Sequence, residues 1–180
     1  MESKKEPPEC VSAESETASE SMGSDEVLEK IRSLYQEHGI SFKELEHPPT
    51  RTSEESAAAR GESMEIGGKA ILMKIGDQFR VLVLPAIMKI KSSSIRKFFG
   101  IKQMRFATRE ELSEMTGVVP GCMPPFGNPI FPLELYVDSS FQEQDKIAFN
   151  AGKLTVSHIL AFDDYQRIAK PTFFEFAKPA

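Results

Sequence analysis

Gly117 to Gly127 reads G-V-V-P-G-C-M-P-P-F-G, with three glycines and three prolines among small and apolar residues. Proline fixes φ and removes an N–H donor, so this run is neither a helix nor a central strand. It carries no charge and offers Val118, Val119, Met123 and Phe126 for packing, which sets it apart from a disordered linker. A rigid apolar loop of this kind can present backbone N–H groups to a small polar ligand, because glycine allows close approach and proline holds the turn. A tight structural connection beneath a sheet is the other reading of the same composition. Lys69 is the second candidate. It follows Gly67-Gly68 and opens an apolar strand, where its ammonium either binds an anion or snorkels to solvent.

Residues 89–109 hold Lys89, Lys91, Arg96, Lys97, Lys102, Arg105 and Arg109 and no acid. Seven positive charges without a neighbouring carboxylate suit either a phosphate-backbone surface or a solvated helix face. Such contacts would position RNA without reading its sequence. Cys122 lies inside the Gly/Pro loop, and His47 or His158 could supply a base. No nucleophile–base signature joins them, and a lone cysteine in such a loop is usually small filler. His38, just before Gly39, fits the negative end of a helix dipole. No His/Cys/Asp cluster has zinc spacing, and neither a Walker nor a dinucleotide fingerprint is present.

The elements that must position these residues follow from local signals. Ser24 before Asp25 and Glu26 starts a helix whose apolar residues Val27, Leu28, Ile31, Leu34 and Tyr35 recur at helical spacing and stop at Gly39. A short strand is expected over Ile40–Leu45, broken by Pro48-Pro49. Thr52 with Glu55 is a capping box that opens a helix running to Gly61, and Thr108 with Glu111 is a second, ending before Gly117. Lys69–Ile75 and Phe79–Pro85 read as a hairpin around Gly76-Asp77-Gln78. A helix is expected over Ser92–Phe99 and another from Asp163 to just before Pro171. Strands are expected at Leu133–Val137, Lys146–Asn150 and Leu154–Ile159. Short helices mixed with hairpin-like strands argue an α+β fold with a mixed, mainly antiparallel sheet.

Composition sets the outer limits. The chain has 180 residues, enough for one domain plus a tail, and 40% hydrophobic residues, enough for a core in which thirteen phenylalanines replace the missing tryptophan. Residues 1–23 are rich in Ser and Glu and poor in large apolar side chains, which predicts a disordered acidic tail preceding a domain over 24–180. Residues 1–26 contain eight acids and two lysines, a net −6 against −5 for the whole chain, so residues 27–180 carry +1. The domain itself is therefore not acidic, and an anionic ligand is compatible with it. Two cysteines, Cys10 and Cys122, form no disulfide framework and fit a reducing compartment. No secretory signal, transit peptide or membrane-length apolar run is readable, which points to the cytoplasm and away from a membrane.

Four motifs in order, E-H-P-P-T-R-T-S-E-E-S-A, G-G-K-A-I-L-M-K, T-G-V-V-P-G-C-M-P-P-F-G and F-N-A-G-K, resemble the YbaK/prolyl-tRNA synthetase editing-domain family. The resemblance covers roughly Leu28 to Lys170. Its strongest single motif is G-x-x-x-P, met by Gly121 and Pro125. The resemblance implies a trans-acting aminoacyl-tRNA deacylase that hydrolyses the ester of a mischarged tRNA, often tRNA-Pro, with no metal or cofactor. Lys69 would contact the terminal adenosine or its phosphate. The Gly121–Pro125 loop would hold the aminoacyl carbonyl through backbone N–H groups, the logic of an oxyanion hole. Thr52 falls where some members place a pocket threonine, and Asn150 to Gly152 would line the same pocket.

The resemblance also implies a mechanism of positioned water helped by the tRNA's own terminal hydroxyl, which suits an activated ester and asks little of the protein. Two departures stand out. The nearest histidine after the N-A-G segment is His158, which shares a strand face with Val156 and receives no role. Cys122 and Met123 replace the small or hydroxyl residues of other members and would reshape the substrate pocket, leaving the amino acid open. The basic residues Lys89, Lys91, Arg96, Lys97, Lys102 and Arg105 would approach the acceptor stem. The implied partners are aminoacyl-tRNA, rather than DNA, and an aminoacyl-tRNA synthetase. A non-catalytic module binding tRNA or a synthetase on the same fold is the alternative.

Overall fold

Apolar residues face both sides of the central hairpin, and both sides are covered. The computed structural model describes residues 22–180. In chain order the elements are α1 (Asp25–His38), β1 (Phe42–Glu46), α2 (Ser53–Arg60), β2 (Gly68–Ile75), β3 (Gln78–Pro85), β4 (Met88–Ile90), α3 (Ser92–Phe99), β5 (Met104–Phe106) and α4 (Arg109–Thr116). There follow β6 (Glu134–Asp138), β7 (Lys146–Lys153), β8 (Val156–Ala161), α5 (Phe162–Ala169), β9 (Thr172–Phe174) and β10 (Ala177–Pro179), with 3-10 turns at Met64–Ile66 and Ser139–Glu143.

The strands form a five-stranded sheet in the order β5-β2-β3-β6-β9, a three-stranded sheet β1-β8-β7 and a two-stranded β10-β4 pair. Only β3–β6 and β6–β9 are parallel; the other pairs are antiparallel. The α+β, mainly antiparallel expectation therefore holds. Period-two alternation divides the hairpin between two cores. Leu72, Val81 and Val83 pack with α1, α5 and β7 in the larger core, while Met73, Ile75, Leu82 and Leu84 pack with Ile95 of α3 and Phe176 in the smaller one. A strand pair buried on both faces reads as a near-continuous apolar run.

Both predicted capping boxes are present. The Thr52 and Thr108 hydroxyls accept from the Glu55 and Glu111 amides at 3.2 Å, and each glutamate reaches back to its cap backbone. Ser24 caps α1, and Gly39 closes it in the left-handed region at φ 65°. The expected strand over 154–159 starts later, at Val156. Leu154-Thr155 is the turn, and β7 runs on to Lys153 through a bulge between Asn150 and Lys153. Four short strands, β4, β5, β9 and β10, lie outside the sequence expectations. Residues 1–21, most of the predicted tail, lie outside the described residues. Gly23, assigned by sequence to that tail, instead bridges Lys153, and the Met22 carbonyl accepts from the Leu154 amide at 2.8 Å.

Candidate active site

The Gly/Pro loop is held in place by aromatic packing. Phe126 is fully buried, edge-on to Phe149 and Tyr165 at ring separations of 5.7 and 5.6 Å. The Tyr165 hydroxyl donates to the Pro125 carbonyl at 2.5 Å. Pro125 is thus turned toward the core and shapes the loop rather than facing solvent. Gly121 sits at φ +96°, a conformation L side chains rarely adopt, with the Arg51 backbone 3.4 Å from where a Cβ would stand. Among the described residues, the amides of Gly121 and Met123 donate to no protein acceptor. They are the free backbone donors that the loop composition anticipates.

Gly121 and Met123 line a cavity of about 260 Å³. Ser53, Ser56, Ala57 and Arg60 of α2 also line it, and their spacing is that of one helical face. The start of β2 contributes Gly68, Lys69 and Ala70, and β7 contributes Asn150. Three lining residues are cationic, Arg51, Arg60 and Lys69, and no carboxylate, imidazole or thiol lines the cavity. The N-terminus of α2 lies beside the same space, with the Arg51 and Thr52 amides donating to the Glu55 carboxylate and the Glu55 amide to the Thr52 hydroxyl.

Lys69 donates from Nζ to the Met88 carbonyl at 2.9 Å. Burial lowers its pKa, and Glu54 opposes the shift. Asn150 is the hub of the site. Its amide nitrogen donates to the Gly121 carbonyl at 2.9 Å and to the Thr50 hydroxyl at 3.2 Å. Its oxygen accepts from Arg60 Nη2 and from the Ser157 hydroxyl, both at 3.1 Å. Arg60 Nε donates to Ser157 Oγ at 2.8 Å, and His47 Nε2 lies 2.8 Å from that same oxygen. One side-chain amide therefore ties the Gly/Pro loop, the segment entering α2 and the end of α2 together.

The structure brings together Lys69, Thr52, Gly121, Met123 and Asn150 around one cavity. Three other expectations are corrected. Cys122 is fully buried and does not line the cavity; its thiol donates to the Val119 carbonyl at 3.2 Å, and burial pushes its pKa up to about 11. Gly152 also lies outside the lining. Its amide donates to the Cys122 carbonyl at 3.1 Å, and at φ +83° its Cα faces Val27 of α1. The basic run 89–109 is not one unopposed patch. Arg105 makes two bonds to the Glu111 carboxylate, at 2.7 and 2.8 Å, and Arg96 donates to the Lys102 carbonyl.

Arg60, Ser56 and Ser157 escaped sequence reasoning. A basic residue ending an alanine-rich helix reads as a dipole complement, and only the face shared with Ser53 and Ser56 hints at more. His158, given no role by sequence, is a core residue, fully buried and bonded to Glu44 and Tyr35.

The family model described as "Aminoacyl-tRNA editing domain" matches residues 47–168, a span that contains every lining residue of the cavity. The multifunctional Ser/Thr-tRNA deacylase ProXp-y of Escherichia coli (strain K12) is 32% identical over 158 residues, covering 84% of this chain and 93% of that protein. Proline–tRNA ligase of Macrococcus caseolyticus is 21% identical over 112 residues, which are 62% of this chain and 19% of the ligase. In fold, the chain is similar to a solved structure described as a candidate trans-editing enzyme for prolyl tRNA synthetase, with TM-score 0.75, 19% identity and coverage of 86% of this chain and 99% of that one. The chain belongs to the aminoacyl-tRNA editing domain family.

Proposed function

We propose that the cavity hydrolyses the ester of a mischarged tRNA by holding its carbonyl against the Gly121 and Met123 amides while water attacks. Membership of the editing family makes the protein an aminoacyl-tRNA deacylase, a hydrolase of the bond between an amino acid and the tRNA 3′ end. The observation that carries the mechanism is the cationic lining without acids, beside a loop in which the Gly121 and Met123 amides have no protein acceptor. Such a site favours negative charge, and ester hydrolysis develops negative charge on the carbonyl oxygen as the tetrahedral intermediate forms. Water forms the new C–O bond, the ribose oxygen leaves, and the vicinal ribose hydroxyl relays the proton. Lys69 holds the terminal adenosine or its phosphate beside the carbonyl.

The relative's name puts serine and threonine first among the amino acids removed, and kinship to proline–tRNA ligase keeps tRNA-Pro among the acceptors. Action in trans on cytoplasmic tRNA, with or without a synthetase as partner, belongs to the same proposal. No helix among the described residues is long and apolar enough to cross a membrane.

The test is single-turnover deacylation of Ser-, Thr-, Ala- and Cys-tRNA beside correctly charged Pro-tRNA. Release of non-cognate amino acids with Pro-tRNA spared is expected. Lys69→Ala should lower the rate by about 100-fold, the scale on which misplacing a substrate acts, while the melting temperature is kept. Full activity in that variant removes Lys69 from the mechanism. Tight, salt-sensitive tRNA binding with no release from any ester would replace the enzyme by a binding module.

A further inference from the structure

We propose that Arg60 selects the amino acid, by donating from its free guanidinium edge to the hydroxyl of a serine or threonine side chain. The inference rests on the deacylase reading above and names the residue that sets the substrate class at that site.

The guanidinium has five N–H donors and no acceptor. Nε is taken by Ser157 Oγ and Nη2 by Asn150 Oδ1, both neutral oxygens. Among the described residues no carboxylate pairs with Arg60 and no protein acceptor takes Nη1. Arg32, Arg80, Arg105 and Arg167 each have a carboxylate partner. At Arg60, burial alone lowers the pKa from 12.5 to about 10. A cation withdrawn from water without a counter-ion is costly unless its remaining donors find an acceptor. Arg60 lines the cavity, and no fully buried side-chain nitrogen among the described residues lacks a partner, so the unbonded Nη1 is accessible.

Geometry places that edge within reach of a substrate side chain. The Asn150 amide touches Arg60 through Oδ1 at 3.1 Å and the Gly121 carbonyl through Nδ2 at 2.9 Å, so one amide group spans from the guanidinium to the loop. An ester carbonyl seated on the loop amides therefore has its β-substituent close to Arg60. Ser53, Ser56 and Ala57, the other lining residues of α2, are small and leave that space open. Ser157 and Asn150 lock the fork, so a substrate oxygen meets a preorganised donor. An alanine side chain would cover the donor without pairing it, and a thiol is a weak acceptor.

The experiment charges one tRNA with serine, threonine, alanine or cysteine and reads kcat/KM for the 180-residue chain and its Arg60→Met and Arg60→Lys variants. The wild type should prefer serine to alanine by about 10- to 100-fold, as one hydrogen bond to a charged donor allows. Arg60→Met should bring the ratio to near one through loss on the hydroxyl substrates, and Arg60→Lys should recover part of it. Because the readout is a ratio within one protein sample, a partly unfolded preparation does not mimic it. Equal loss on all four esters would place Arg60 on the shared ribose or phosphate and overturn the proposal, as would an unaltered ratio. Calorimetry with 3′-seryl- and 3′-alanyl-amide adenosine reads the same preference without turnover. Seryl selectivity there with no hydrolysis of any ester would sink the deacylase reading alone, whereas equal affinities would sink the role of Arg60.

Discussion

Burial disfavours the charged form of Lys69, which lines the cavity, and of Cys122, which lies behind it. At Lys69 it disfavours the ammonium, and Glu54 opposes that shift. At Cys122 it disfavours the thiolate and holds the pKa at about 11, so about one thiol in a thousand is ionised at pH 8. The thiolate is the nucleophile, and Cys122 does not face the cavity. Cys122→Ala is therefore expected to keep its deacylation rate within about twofold of the wild type, since the thiol neither reacts nor touches substrate. In the native protein at pH 7.5, the peptide containing Cys122 should resist iodoacetamide while the denatured chain reacts. Alkylation of native Cys122 with parallel loss of activity would restore the nucleophile reading. The loop and Lys69 were legible in the sequence because glycine, proline and a charge at a strand entrance have local meaning. Arg60 was not, since its value comes from Asn150 and Ser157, ninety and ninety-seven residues away.

Elements position the site through a few contacts that cross the chain. The bulge in β7 turns Asn150 toward Gly121 while Gly152 packs under α1, so the N-A-G segment divides between the cavity and the core. Helix limits were readable from caps and left-handed glycines. The strands β4, β5, β9 and β10, three residues each, were not, because their pairing is set by distant partners rather than by an alternation long enough to register. On the far side of the small sheet, His158 pins β8 to β1 and α1. Its Nε2 lies 2.8 Å from Glu44 and its Nδ1 3.2 Å from the Tyr35 hydroxyl. Burial lowers the His158 pKa from 6.5, outweighing Glu44, while nearby Arg32 pushes the same way as burial. As pH falls through 6.5 the unfolded imidazole takes a proton that the folded one resists. The unfolded state then binds more protons, and stability declines. Glu44 itself is held below 4.5, first by Arg32, so its contribution disappears only at lower pH. The urea midpoint should therefore be lower at pH 5.5 than at 7.5, and His158→Gln should narrow that difference. An equal difference in the variant would show that the titration lies elsewhere.

Among the described residues, the basic side chains beside the cavity differ in their partners from those at the other end of β2. Lys69 reaches the Met88 carbonyl at the cavity edge, and the next residue, Lys89, stands directly opposite Lys178 of β10. Two exposed lysines facing each other across a strand pair repel, and the arrangement is relieved when an anion lies over both. Near the other end of β2, five residues from Lys69 or about 17 Å along a strand, Arg105 stands opposite Lys74 and is paired with the Glu111 carboxylate. This split predicts which surface carries the acceptor stem. Lys89→Glu with Lys178→Glu should raise KM with kcat nearly kept, because the change weakens positioning without touching the ester. It should also flatten the dependence of tRNA affinity on salt, by roughly 0.7–0.9 in log–log slope for each phosphate that the protein no longer neutralises. Lys102→Glu, at the far end, serves as the charge control and should move both quantities much less. If Lys102→Glu matched the double change charge for charge, the protein would be responding to overall charge alone. If the double change lowered kcat instead, the β4–β10 lysines would belong to the chemistry and not to the approach of the tRNA.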